Sequence, residues 1–219
     1  MDSVIFDLDQ TILDRNRSLL DYVRWQAEGM LRADVSNVDA FVTRFIELDS
    51  NGRVWKDRVY EQLLSEFKIS GWAVNELLAV YKLCFCSFAR PMAGAIDAIT
   101  SLKDSGYLLG LISNGMSPFQ ERNFRALGVS TLFDSVLISQ AVDLRKPDAK
   151  IFHMCCRELG VLPESAVYVG DNPDADIRGA NDVGMKTVFI PSVLHPRCDD
   201  ANAVCKDLHH LSELIKNLG

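Results

Sequence analysis

The sequence predicts an α/β fold: a parallel sheet doubly wound with helices, interrupted early by an α-helical insertion. Three observations predict it. Short apolar runs at Val4–Phe6, Tyr107–Ile112, Phe133–Ser139, Ala166–Val169 and Lys186–Ile190 are too brief for helices. They are continuous rather than alternating, as in strands covered on both faces. From Pro91 onward these runs alternate with amphipathic helical stretches, which implies parallel strands with helices on both faces. Between the first run and the rest lies a block with helical periodicity only.

In chain order, strand character ends at Thr11. Leu19-Leu20, Val23, Ala27 and Met30-Leu31 then recur at helical spacing, and Phe41, Val42, Phe45, Ile46 and Leu48 repeat it. Asn51-Gly52 breaks the pattern. Val54–Phe67 and Asn75–Phe88 resume it. Together they make a helical block of roughly seventy residues, enough for a small bundle. Pro91 restricts Arg90 and marks the end of the block. The predicted division is therefore residues 1–12 with 91–219 as one domain and 13–90 as the helical one. Further helices are predicted over Ala95–Ser105, Pro118–Leu127, Asp148–Leu159, Ala175–Val183 and Leu208–Leu218, most followed by a glycine suited to a C-terminal cap.

Composition narrows the function. A chain of 219 residues with 48% hydrophobic and 24% charged residues is ordinary globular material. A formal net charge of −7 and the lack of a basic run argue against a nucleic-acid partner. The N-terminus has no basic-then-apolar leader pattern, and no apolar stretch is long enough to span a bilayer. The six cysteines form no C-x-x-C pair. Cys84, Cys86, Cys155 and Cys156 sit in apolar, helix-like surroundings and read as reduced core thiols, so a cytoplasmic location is expected.

In a doubly wound fold the site lies beyond the carboxyl ends of the strands. That rule gathers Asp7-Leu8-Asp9-Gln10-Thr11, Ser113-Asn114-Gly115 and Gly170-Asp171-Asn172, each directly after a predicted strand. The helical block, inserted after the first, is expected to lie over the site as a lid. Asp7 and Asp9 leave the sheet on the same side, and two adjacent carboxylates call for a cation, a shared proton or open water. With only carboxylate and carbonyl oxygens at hand, the cation is Mg²⁺. Asp7 reads as a nucleophile, a metal ligand or both. Asp171 completes the metal shell with Asp7 and the backbone carbonyl of Asp9, leaving the Asp9 carboxylate as acid and base. Ser113 offers a hydroxyl, and the Asn114-Gly115 turn offers backbone N–H groups, to phosphoryl oxygens. Lys146 supplies a point positive charge, and Pro147 is expected to start a helix whose N-terminus suits an anion. Asp176 holds either Lys146 or a metal-bound water. Each motif alone reads equally as an ordinary turn or helix start. Four in this order, three at strand ends, do not.

This set resembles the haloacid dehalogenase-like (HAD) hydrolase superfamily. Asp7-Leu8-Asp9-Gln10-Thr11 matches its first motif, Ser113 its second, Lys146 its third, and Gly170-Asp171 with Asp176 its fourth. The resemblance implies a Rossmann-like core, a helical cap, a phospho-aspartate at Asp7 and Mg²⁺ dependence. The stretches around Ser113 and Lys146 look most like the branch with nucleotidases, phosphoglycolate phosphatase and acylneuraminate-phosphate phosphatase. Family dehalogenases lack the second aspartate, so Asp9 favours transfer of phosphate to water from a small phosphorylated metabolite. Phosphomutases share that aspartate, and a catalytically silent ligand-binding member is the alternative from outside enzymes. A monomer or homodimer is expected. In the helical block, Asn51–Lys56 resembles a substrate-facing loop. Trp55 stacks on a base or sugar or packs in the block's core; Arg53 or Lys56 meets a distal anion, or the two cations form a solvated face. Phe119 and Gln120 are expected at the border of the pocket, and His195 is given no role.

Overall fold

A computed structural model describes residues 1–218; Gly219, the last residue of the predicted core, lies outside the described residues. The chain divides into two compact units, Met1–Asp14 with Arg90–Gly219, and Arg15–Ala89.

The first unit is built on a six-stranded parallel sheet in the order β3-β2-β1-β4-β5-β6. Its strands are β1 (Ser3–Phe6), β2 (Leu108–Ser113), β3 (Ser135–Ile138), β4 (Ala166–Gly170), β5 (Lys186–Phe189) and β6 (Ala203–Val204). β1 is central: Val4 stands level with Leu109 on one side and Val167 on the other. All four of its residues are buried, which is why it reads as an unbroken apolar run. Ile5 turns toward a core made with Ile112, Leu137, Phe152, Cys155 and Tyr168. Its neighbour Phe6 meets Phe133 edge-on, and Phe133 meets Phe124 in turn.

The helices of the second unit are α1 (Arg15–Glu28), α2 (Val38–Asp49), α3 (Lys56–Glu66) and α4 (Val74–Cys84); those of the first are α5 (Ala95–Asp104), α6 (Phe119–Ala126), α7 (Ser139–Val142), α8 (Ala149–Leu159), α9 (Gly179–Asn181) and α10 (Leu211–Lys216). α8 can lie close to β2 because Gly110 has no side chain: a Cβ there would stand 2.8 Å from Cys155 Sγ. Several elements depart from expectation. Pro147 precedes α8 rather than starting it; Asp148 is the cap, accepting from the Lys150 N–H at 2.9 Å. The predicted helix over Ala175–Val183 is a wide turn of π-helix at Pro173–Arg178 running into the single turn of α9. The final helix opens with a 3₁₀ turn, Leu208–His210. The two-residue β6 was not predicted.

In the second unit, α4 ends at Cys84 and a 3₁₀ turn carries the chain on to Phe88. Its core is aromatic: Tyr22 lies edge-on to Tyr81, and Phe45 to Tyr60. The buried hydroxyls are satisfied internally, with Gln26 donating to Tyr22 and accepting from Tyr60. Asn51 and Gly52 break the helix with left-handed backbone, φ +55° and +82°. The reading of the loop as core tryptophan and solvated cations does not hold. Trp55 is 58% exposed, so it does not pack in the core. Lys56 is buried rather than solvated: its ammonium pairs with the Asp49 carboxylate and lies 5.4 Å from the centre of the Tyr81 ring. Asp49 also takes two N–H groups of Arg15 and the Gly52 N–H at 2.8 Å, so one buried carboxylate ties the loop to the start of α1.

All six cysteines are free thiols. Cys155 and Cys156 are core residues as expected, while Cys84 and Cys86 are partly exposed. Among the described residues, no helix is long and apolar enough to cross a membrane.

Candidate active site

The site is assembled from the carboxyl ends of β1, β2 and β4. After Phe6 the Asp7 N–H still donates to Val169 O at 2.9 Å, so the first aspartate is fixed by the sheet itself. The chain then turns tightly, with Leu8 O accepting from the N–H groups of Ile12 and Leu13, and Gln10 takes a left-handed φ of +60°. β4 ends at Gly170, which makes room for a neighbour: a Cβ there would lie 2.5 Å from Asp176 Oδ2. Asp176 therefore folds back under the strand end, accepting the Asn172 N–H on Oδ2 at 3.0 Å.

Lys146 is the hub. Its ammonium donates to Asp7 Oδ1 at 2.6 Å, to Asp176 Oδ1 at 2.7 Å and to the Tyr168 hydroxyl at 2.8 Å. Three acceptors match the three donors of an ammonium. Of the two partners left open for Asp176, Lys146 is the one it holds. The lysine's main chain is fixed as well. Asn114 Nδ2 donates to Lys146 O, and the Lys146 N–H donates to Asn114 Oδ1, both at 3.0 Å. The Asn114 side chain is thus spent on carrying the lysine. The Gly115 N–H is directed to Ser139 Oγ at 3.0 Å.

A carboxylate oxygen of each of Asp7, Asp171 and Asp176 lies within 4.8 Å of the others. Burial raises the Asp7 carboxyl well above the ordinary carboxylate range; Lys146 counters this, and Asp176, Asp171 and Asp9 reinforce it. Burial, then Asp176, pushes Asp171 up to about 7. Lys146 is raised as well: burial opposes its charge, but the carboxylates of Asp176 and Asp7 outweigh it. The donor set is all oxygen and its charge is only partly neutralised by one ammonium, which fits a hard divalent cation.

Asp9 turns away from this cluster. Its Oδ2 accepts from Gln120 Nε2 at 2.7 Å, and the same nitrogen donates to Ser113 Oγ at 3.2 Å. Ser113, Asp7 and Lys146 are all buried. Since Gln120 satisfies the serine oxygen as an acceptor, the Ser113 O–H keeps its own donor capacity. Tyr168 and the Asp9 contact of Gln120 escaped the sequence reading. Tyr168 sits inside an apolar strand run and looks like core; Gln120 meets a residue 111 positions away, beyond any local pattern.

The family model for haloacid dehalogenase-like hydrolases matches residues 4–190. A glyceraldehyde 3-phosphate phosphatase of Methanopyrus kandleri is 40% identical over 90% of this chain and 89% of its own. One of Pyrococcus furiosus is 32% identical over 85% of this chain and 79% of its own. The solved structure of a HAD phosphatase from Thermococcus onnurineus is 26% identical, covers 98% of both chains and superposes with a TM-score of 0.68. With those matches spanning the four motif regions whose side chains converge at the strand ends, the chain belongs to the haloacid dehalogenase-like hydrolases and is an enzyme of that family.

Proposed function

We propose that the protein is a Mg²⁺-dependent phosphomonoester hydrolase acting on a small phosphorylated metabolite through an aspartyl-phosphate at Asp7. The observation that carries this reading is the Lys146 ammonium 2.6 Å from Asp7 Oδ1, beside a cluster of three carboxylates. A carboxylate can approach a phosphate dianion only where positive charge offsets the repulsion. Asp7 and Asp171 are the residues that would hold the metal, with the main-chain carbonyl of Asp9; Asp176 is engaged on both oxygens. When bound, the cation supplies neutralisation of the phosphoryl oxygens.

Asp7 attacks phosphorus, forming a P–O bond as the bond to the leaving oxygen breaks. Asp9 delivers its proton to that oxygen, so an alcohol departs rather than an alkoxide. Asp9, now ionised, takes a proton from water as its oxygen attacks the aspartyl-phosphate; inorganic phosphate leaves and Asp7 is restored. Ser113 and Lys146 bind the phosphoryl group, the serine through its hydroxyl and the lysine through the positive charge it holds beside Asp7. The phosphatase names of the relatives support phosphate esters as the substrate class.

The test is phosphate release from para-nitrophenyl phosphate and from a panel of sugar phosphates, nucleotides, phosphoglycolate and glyceraldehyde 3-phosphate, with Mg²⁺ and with EDTA. Release that needs the metal and is abolished in a folded Asp7→Asn variant is the expected result. Absence of release from every compound, with chloride freed from a haloacid instead, overturns it.

A further inference from the structure

Gln120, on the first turns of α6, belongs to none of the four motifs, yet its side chain joins two of them. Nε2 donates to Asp9 Oδ2 at 2.7 Å and to Ser113 Oγ at 3.2 Å, and Oε1 accepts from Asn123 Nδ2 at 3.2 Å. The residue is buried, and so is Asn123. Room for this reach comes from Gly115, where a Cβ would lie 2.6 Å from Gln120 Cγ.

The direction of this chain of amides is not arbitrary. Gln120 presents its nitrogen to Asp9 Oδ2, which accepts, and therefore its oxygen to Asn123. Asn123 must then present its own nitrogen, which leaves Asn123 Oδ1 buried without a hydrogen-bond partner. An orphaned buried carbonyl costs about 1–3 kcal/mol. Its presence marks an arrangement dictated from the Asp9 end rather than from the packing of α6.

We propose that Gln120 is a positioning residue for Asp9: its amide holds Oδ2 and so leaves Oδ1 as the oxygen presented to the leaving group and to water. The same amide spaces Asp9 from Ser113, which sets the acid/base group in register with the bound phosphoryl group. This inference rests on the role assigned above to Asp9.

The experiment follows first-turnover release of two alcohols, para-nitrophenol from its phosphate and glycerol from glycerol phosphate, in the full-length enzyme with Mg²⁺. Para-nitrophenolate departs without a proton; an alkoxide does not. In Gln120→Met, glycerol release is expected to slow by about 10- to 100-fold, a part of what general acid catalysis supplies, with para-nitrophenol release little changed. KM for glycerol phosphate stays near wild type. Gln120→Leu is close in size and also lacks the donor, so it gives the same selective loss and guards against a folding defect peculiar to the first variant. Equal loss on both substrates, no loss on either, or a loss confined to KM overturns the proposal. Asp9→Asn tells the two layers apart. A selective defect there with a normal Gln120→Met removes only the positioning role, whereas a non-selective Asp9→Asn defect removes the acid/base assignment beneath it.

Discussion

Replacing Gly170 by alanine is the smallest change that reaches the centre of the site. The new methyl would stand 2.5 Å from Asp176 Oδ2 and 2.6 Å from Asp176 Cβ and Cγ. Carbon atoms do not approach so closely, and neither partner can yield easily: Gly170 is the last residue of a central strand, and Asp176 is pinned at both oxygens. Relief means pushing Asp176 away from Lys146, now 2.7 Å distant, or from the Asn172 N–H. Loss of one hydrogen bond to a charged group costs about 1.5–3 kcal/mol. Overpacking in a filled core adds about 1–3 kcal/mol. A total of about 4 kcal/mol lowers the melting temperature by about 10 °C at this chain length. Lys146 shifts with its lost acceptor, and a misplacement near 1 Å can slow phosphate release by about 100-fold. Calorimetry resolves the transition of the sheet unit, and para-nitrophenyl phosphate reports the rate. Gly71→Ala is the control, since a Cβ there meets nothing closer than Asp34 Oδ2 at 3.9 Å. A Gly170→Ala protein that melts and turns over like wild type would refute the reasoning, because the glycine would then not be demanded by the carboxylate packed against it.

Three further outcomes are expected. Asp49→Ala leaves the buried ammonium of Lys56 and the Arg15 guanidinium without their carboxylate and destabilises the helical unit by about 3–5 kcal/mol, measured by denaturant unfolding. Burial opposes the Asp49 charge, but Arg15 and Lys56 hold its carboxyl below the usual range; its stabilisation is therefore complete above the unfolded value of about 3.9 and fades as pH falls through the lower folded value, so the helical unit loses stability on the acid side of about pH 4. At Asp171 the sign is reversed. A carboxyl at about 7 in the metal-free protein must shed its proton to bind a cation, so Mg²⁺ affinity weakens as pH drops below that value. Titration calorimetry in buffers of different ionisation enthalpy should register release of a proton at about pH 6 and little at about pH 8.5; equal affinity at both would sink this account.

Much of this molecule was legible in the amino-acid order, for a physical reason. Strands buried on both faces have no polar alternation to blur them, so β1, β2, β4 and β5 were found within a residue or two, and the motifs at their ends followed. Short elements were not. β6 has two residues, too few to carry a period, and the π-helical turn at Pro173–Arg178 carries Asp176 to Lys146, a partner 30 positions away that no local period reports. Within the site, residue types pointed to the charged groups but not to their partners. Asn114 reads as a turn residue, yet its amide grips the Lys146 backbone 32 positions on. Tyr168 reads as core and is also the third acceptor of the lysine.

The central place of β1 has a consequence for synthesis. Its two neighbours in the sheet are β2 and β4, and β4 does not begin until Ala166. Residues 15–89 lie between β1 and both partners and form a compact unit from one uninterrupted stretch of chain. On the ribosome the helical unit is therefore complete while the first strand, apolar throughout and already carrying Asp7 behind it, still has no neighbour. Loop closure across such spans is slow relative to local helix formation. Because Asp7 follows directly on β1, the sheet that fixes it closes only once the chain has reached Ala166.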